Sequence, residues 1–345
     1  MKLFIKNIII FSLFLFTICF LPASSYYIAD PYLDFVSGED YSWKYRFQSL
    51  GDIATKKLLA SSRKPNSFIF GSSRSVGAYA CYLEKNIPES NFFHYANWTE
   101  PIEGMYKKLK LIDSLGINIE NAIFYLDTDK TFLGSGKYHD SDHYLITGET
   151  KTNYLANHVR AFFKKLTPGK IKILLGRRLS KKEFPNWQSD LITNDCNHNC
   201  NDTSVIADYS MINNSDSYKI RVDSLVKSGF YYERPPTQQY KESQISDYEK
   251  GILLKIKQIL VKHETEYEVV LTPVYDQHKF SSVDNDILIE VFEGKIFDYS
   301  GINPITNEPS NYPDLIHFQG YISKNIIDSI VNTRARNINY DAHEE

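Results

Sequence analysis

The 345-residue chain has only four cysteines, three methionines and three tryptophans, and its net charge of −3 leaves it with no surplus of either sign. No cluster of lysine or arginine stands out, which sets nucleic acid aside as a partner, since such binding needs a basic stripe. The cations at 164–182 are interspersed with leucine and isoleucine, the pattern of a solvated helix face. Beyond residue 25 every apolar segment is too short or too charged to cross a bilayer, and no internal repeat or low-complexity tract is visible.

What is present suffices for a sizeable core: 42% apolar residues and 14% aromatics, with 25 tyrosines and 21 phenylalanines, enough for one large or two small domains. The N-terminus carries targeting information. Lys2 and Lys6 precede an apolar stretch over 7–22, and Ala23-Ser24-Ser25 follows. This reads as a signal peptide or uncleaved anchor over 1–25, with cleavage before Tyr26, the start inside and the rest outside the cytoplasm. Cys19, without a small residue before it, argues against a lipoprotein. Export permits disulfides. Cys196 and Cys200 are expected to close a small ring; a metal held with His198 would need three ligands cramped into five residues. No metal and no cofactor is expected. Cys81 is expected to pack as a small buried apolar residue.

Along the chain, strand-like and helix-like patterns alternate. Helical spacing covers 45–61. Apolar runs at 68–70, 91–96, 122–126, 267–272 and 295–298 read as strands. Helices are expected over 76–85, 102–115, 241–263, 284–294 and 320–331. That alternation predicts an α/β three-layer sandwich with a mostly parallel five-stranded, flavodoxin-like sheet. Between about 131 and 240 the pattern is lost. So long a stretch inside a compact domain is expected to form an insertion or cap with its own short helices. The chain thus divides into the segment 1–25 and an α/β domain over 26–345 carrying that insertion.

Two stretches carry chemistry. Ser67-Phe-Ile-Phe-Gly-Ser-Ser-Arg-Ser75 reads as a buried strand turning into a helix, which lifts a serine to the sheet's C-terminal edge at a helix N-terminus. The plain alternative is a serine N-cap. Near the other end, Asp314 and His317 are three apart in Tyr312-Pro-Asp-Leu-Ile-His-Phe-Gln-Gly320. That spacing lets the carboxylate hold one imidazole nitrogen while the other points away, as a serine nucleophile's base requires. Their plain alternatives are an N-cap and a surface imidazole. Asp276-Gln-His278, after the fourth strand, reads as a polar turn.

A serine after the first strand, with Asp-x-x-His before the last helix, resembles the SGNH (GDSL-like) hydrolase superfamily. Gly71-Ser-Ser73 stands where that family has Gly-Asp-Ser, so the resemblance implies Ser73 as nucleophile, Ser72 as fallback, His317 as base and Asp314 as its orienting acid. The family's oxyanion hole takes a glycine after strand two and an asparagine after strand three. This chain offers Asn97, with no glycine until Gly104, and Asp127 and Asp129, which accept rather than donate when ionised. Asn97 is a candidate donor, or else a turn residue; Asn97-Trp-Thr99 also matches a glycosylation sequon. Arg74 is a candidate for pairing with Asp127 or Asp129, or for binding an anionic substrate group.

The anchor, the Gly-Ser-Ser-Arg turn, Val-Val-Leu-Thr-Pro-Val274 and Ile-Phe-Asp-Tyr-Ser-Gly301 are similar to an envelope branch of that superfamily, which includes D-alanyl-transfer and alginate-type O-acetylation proteins. The resemblance covers 67–128 and 241–331. It implies an extracytoplasmic serine O-acyltransferase or acylesterase on a cell-surface glycan or polymer, with a membrane-bound O-acyltransferase as partner. A secreted esterase of small acyl esters and a non-catalytic glycan- or partner-binding scaffold are the alternatives.

Overall fold

The computed structural model describes residues 2–30, 32, 34–35, 50–61, 64–132, 143–165 and 224–341. Five strands form one sheet: β1 (Ser67–Phe70), β2 (Phe92–His94), β3 (Asn121–Leu126), β5 (Glu266–Leu271) and β7 (Ile296–Asp298). All neighbours run parallel, in the order β2-β1-β3-β5-β7. This is the expected three-layer α/β sandwich. A second, two-stranded parallel pair, β4 (Gln239–Tyr240) with β6 (His278–Lys279), has no counterpart in the apolar pattern because its residues are polar.

Strands buried on both faces read as continuous apolar runs, and their side chains divide by the period of two. Phe68, Phe70, Ala122, Phe124, Leu126, Val269 and Leu271 face one core, shared with α4 (Ile102–Ser114), α7 (Asp247–Lys262) and α8 (Ser282–Phe292). Ile69, Ile123, Tyr125 and Val270 face the other, shared with α3 (Ala80–Asn86) and α10 (Gly320–Asp341). The Phe70 and Phe124 rings stack at 4.9 Å across the β1–β3 pair. Each such side chain contributes about 1.5–3 kcal/mol by leaving water.

Three helix boundaries differ from the sequence pattern for reasons visible in the structure. The turn after β1 is a 3-10 helix, Ser73–Gly77, and α3 starts only at Ala80, because Tyr79 is extended (φ −71°, ψ 121°). α7 starts at Asp247 rather than 241. The Asp284 carboxylate accepts from the Ser243 hydroxyl and from the N–H groups of Gln244 and Ile245, holding that stretch until Ser246 caps the helix in a capping box with Glu249. α10 runs to Asp341, past the expected end, and Arg334 on it grips Glu268 of β5 with two hydrogen bonds of 2.6 Å and Asn121 of β3 with a third.

Lys2–Ala29 form one helix, α1. Among the described residues, no helix is long and apolar enough to cross a membrane. The C-terminal end of α1 and the residues that follow it dock on the domain. Tyr26 packs edge-on against Phe162 of α6 (Lys151–Lys165) at 5.5 Å, and Tyr32 stacks on His158 at 4.2 Å. Asp34 accepts from Lys56 of α2 (Leu50–Ala60), from His158 and from the Tyr26 hydroxyl, at 2.7, 3.0 and 2.5 Å. Most of the expected insertion, and with it Cys196, His198 and Cys200, lies outside the described residues. Within it, α6 bonds to α2 through the Tyr154 hydroxyl and Asp52, 2.5 Å. Cys81 is disulfide-bonded, which corrects its expected role as a free apolar side chain.

Candidate active site

In an open parallel sheet the functional crevice lies outside the strand C-termini where the strand order reverses. Here the chain leaves β1 for β2 on one side and returns to β3 on the other, so the crevice lies between residue 71 and residue 127. Gly71 makes the exit from β1 possible: a Cβ there would meet Ser75 Cβ at 2.7 Å and Tyr125 Cβ at 2.8 Å. The 3-10 turn then places three serines in three different settings.

The Ser72 hydroxyl is buried. It donates to Asp127 Oδ2 at 2.5 Å and accepts from the Arg74 N–H, capping the turn. The Ser75 hydroxyl donates to the Ser72 carbonyl at 2.7 Å and lies 2.9 Å from His94 Nε2. Its single proton being given to the carbonyl, the His94 Nε2–H donates to it. Ser73 alone is half-buried rather than enclosed, and its Oγ lies 2.9 Å from His317 Nε2, 244 residues away in sequence.

Asp314 lies 2.9 Å from His317 Nδ1 through Oδ2. Its Oδ1 accepts from the N–H groups of Ile316 and His317, both at 2.7 Å. Burial raises the Asp314 carboxyl, but these three donors outweigh it and hold it below the ordinary carboxylate value. A carboxylate only accepts, so Nδ1 carries the imidazole proton and Nε2 faces Ser73 as an acceptor. The loop is anchored behind by Tyr312, fully buried, whose carbonyl accepts from the Tyr231 hydroxyl at 2.7 Å and whose ring meets Tyr275 edge-on at 5.4 Å. A pocket of about 470 Å³ lined by Tyr231, Tyr232, Arg234, Tyr275 and Asn307 adjoins this anchor; neither Ser73 nor His317 lines it.

The oxyanion candidates are placed less completely. The Ser73 N–H makes only a long bond, 3.5 Å, to the Trp98 carbonyl. Asn97 is buried, its Oδ1 accepting from the N–H groups of Gly51 and Trp98 at 3.3 and 2.9 Å, so Nδ2 is its donating end. That burial does not suit a glycosylated side chain. After β3, Asp127 accepts from Ser72 and, at 2.6 Å, from Thr272. Asp276 caps a tight turn, accepting from the His278 N–H at 3.1 Å and from Lys241 at 3.2 Å.

Arg74 is 5% exposed. Its guanidinium forks onto both oxygens of Asp129, reaches Asp127 at 3.4 Å, and gives Nε–H to the Ile316 carbonyl at 2.7 Å. The hydrogen bonds that sequence reading did not anticipate are those of His94, Thr272 and the Ile316 carbonyl. Thr272 had a signal, as the last residue before Pro273 at a strand's C-terminal edge; a main-chain carbonyl has none. Among the described residues no group of three or more His, Cys, Asp or Glu is placed to hold a metal. No protein-family model matches the chain, and no curated protein matches it.

Proposed function

We propose that the protein is an extracytoplasmic serine O-acyltransferase or acylesterase of SGNH type, acting on a cell-surface glycan or polymer. One observation carries the reading: Ser73 Oγ at 2.9 Å from His317 Nε2, with Asp314 on Nδ1. Ser73 Oγ attacks the acyl carbonyl as its proton passes to His317 Nε2. The imidazolium, steadied by Asp314, gives that proton to the departing oxygen, leaving an acyl-serine. An acceptor hydroxyl, from water or a sugar, then loses its proton to His317 and attacks the acyl-serine, and His317 returns that proton to Ser73 Oγ as it leaves. The Ser73 N–H, on its long bond to Trp98, is the main-chain donor proposed for the developing oxyanion, with Asn97 as the candidate side-chain donor. Trp98, whose carbonyl meets the Ser73 N–H, and Ile316, next to His317, are 45% and 48% exposed and are the apolar surface proposed for an acyl chain or a sugar face.

Export of the domain and a membrane-bound O-acyltransferase partner belong to the same proposal. They are supported by Lys2 and Lys6 ahead of an apolar stretch in which Ile10, Phe14 and Phe16 are each more than half exposed.

The test is turnover of a neutral chromogenic acetyl ester, together with labelling by a fluorophosphonate. Ser73→Ala and His317→Ala should each abolish both. Asp314→Asn should keep the fold and lose on the order of 10⁴-fold in kcat, because the amide would hold the wrong tautomer. The losses should not add, since the three residues act as one unit. Undiminished turnover in Ser73→Ala would sink the Ser73 triad, and would move the nucleophile to Ser72 or the protein to the scaffold class.

A further inference from the structure

Arg74 follows the proposed nucleophile, where an arginine invites a role in binding an anionic substrate. Its surroundings oppose that role. Of its five N–H donors, Nε serves the Ile316 carbonyl and the two terminal nitrogens serve Asp129, with Asp127 beside Nη1. One cation faces two carboxylates in a buried setting, so the local charge repels an anion rather than attracting it. Burial works against the charged guanidinium, but Asp127 and Asp129 more than offset it and hold it firmly ionised.

The Ile316 carbonyl belongs to the peptide group that enters His317. The N–H of that same peptide donates to Asp314 Oδ1 at 2.7 Å. The plane is therefore gripped at both ends, by Arg74 at its oxygen and by Asp314 at its nitrogen. Apolar packing does little of this at Ile316, whose side chain is exposed. Ser73 and Arg74 are neighbours on one short 3-10 turn, so the Arg74–Ile316 bond fixes the His317 backbone relative to the serine across a sequence gap of 242 residues.

We propose that Arg74 is a positioning residue: a strut, seated on Asp129, that sets the distance between Ser73 and His317. This rests on the triad reading above. Lysine at 74 keeps the charge but has neither the Nε–H at that position nor the fork. Without the strut the imidazole drifts from the serine, and a misplacement near 1 Å costs about 10²-fold.

The experiment compares wild type, Arg74→Lys, Asp129→Asn and Ser73→Ala on a neutral acetyl ester and an anionic one, with thermal melts to establish folding. Arg74→Lys should lose about 10²-fold in kcat on both esters, with KM changed no more than about twofold, since positioning acts on the chemical step. Asp129→Asn, which leaves Arg74 in place but loosens its seat, should lose less, in the same direction. A second readout does not depend on turnover: the downfield proton resonance of His317 Nδ1–H bonded to Asp314 should be sharp in wild type and broadened or absent in Arg74→Lys. Wild-type kcat in both Arg74→Lys and Asp129→Asn, with Ser73→Ala inactive, would overturn the strut and spare the triad. A rise in KM confined to the anionic ester would replace the strut with an anion subsite. Full activity in Ser73→Ala would remove the triad reading itself, and the proton resonance would then decide the strut alone: an unchanged signal in Arg74→Lys overturns it.

Discussion

Each of the three serines after β1 has one hydroxyl proton, and its destination separates them. Ser72 gives its proton to Asp127 and Ser75 to a carbonyl, whereas Ser73 faces an imidazole nitrogen that lacks one. Ser72→Ala should therefore lower stability by about 1–3 kcal/mol, because buried Asp127 loses a donor, yet leave fluorophosphonate labelling at Ser73; a melt and a labelling gel check both halves. The sequence offered Ser72 and Ser73 side by side. What distinguishes them is a partner 55 residues away, invisible to local pattern. Two histidines carry a pH prediction. Burial, with Lys108 adding to it, pushes His94 down to about 4, and burial, with Lys56 next, pushes His143 down to about 3. Both stay neutral in the fold but protonate near pH 6.5 once unfolded. Between about pH 6.5 and 4 the unfolded chain binds more protons, so stability falls as the pH falls. His94 alone should contribute a loss on the order of 3 kcal/mol across that window. Urea unfolding at pH 7 and pH 4.5 measures it, and His94→Gln should flatten the slope.

Among elements, the 3-10 turn and α10 pack closely at the site. A Cβ at Gly77 would lie 2.2 Å from Ser323 Oγ and 2.9 Å from Ser323 Cβ, with the Gly320 Cα next at 3.8 Å. Gly77→Ala should push α10 off the turn and cost about 1–3 kcal/mol by overpacking. Adding Ser323→Gly removes both clashing atoms and should restore much of the melting temperature; a double variant no more stable than Gly77→Ala would deny the contact. The loop after β2 has its own pin, the fully buried ion pair of Glu100 with Lys108 on α4. Lys108→Met removes the cation of that buried ion pair and should destabilise by about 3–5 kcal/mol in denaturant titration. The strands and long helices were legible because both faces of the sheet are buried and the helices keep one apolar stripe. The 3-10 turn was not, since Arg74-Ser-Val-Gly reads equally well as a first helical turn until α10 lies against it. Nor was the late start of α7, which depends on Asp284, about forty residues downstream.

For the molecule as a whole, two apolar cores on either side of one sheet account for the α/β architecture that the sequence pattern announced, and the paired ends of β1 and β3 explain why the site residues converge. Residues 131–240 offered no clear period to read, and the ring expected between Cys196 and Cys200 lies in that stretch, outside the described residues. Cys81 must pair with one of the other three cysteines, and pairing with Cys196 or Cys200 would remove that ring; peptide mapping without reduction identifies the partner. Export is checked by a C-terminal reporter, which should be active only outside the cytoplasm. The docking of Tyr26, Tyr32 and Asp34 bears on the order of events in time. The bond before Tyr26 lies inside the continuous helix α1, one residue from a ring that is 4% exposed and held by Phe162 and Asp34. Proteases take extended, accessible chain. A leader cut at that bond must therefore be removed before the domain folds, and a copy that folds first keeps its leader for good. Under the export proposal two fixed populations, set by a race during translocation, are expected in place of a slow conversion of one form into the other, and a pulse-chase experiment should show the ratio settled within the first minutes and constant thereafter.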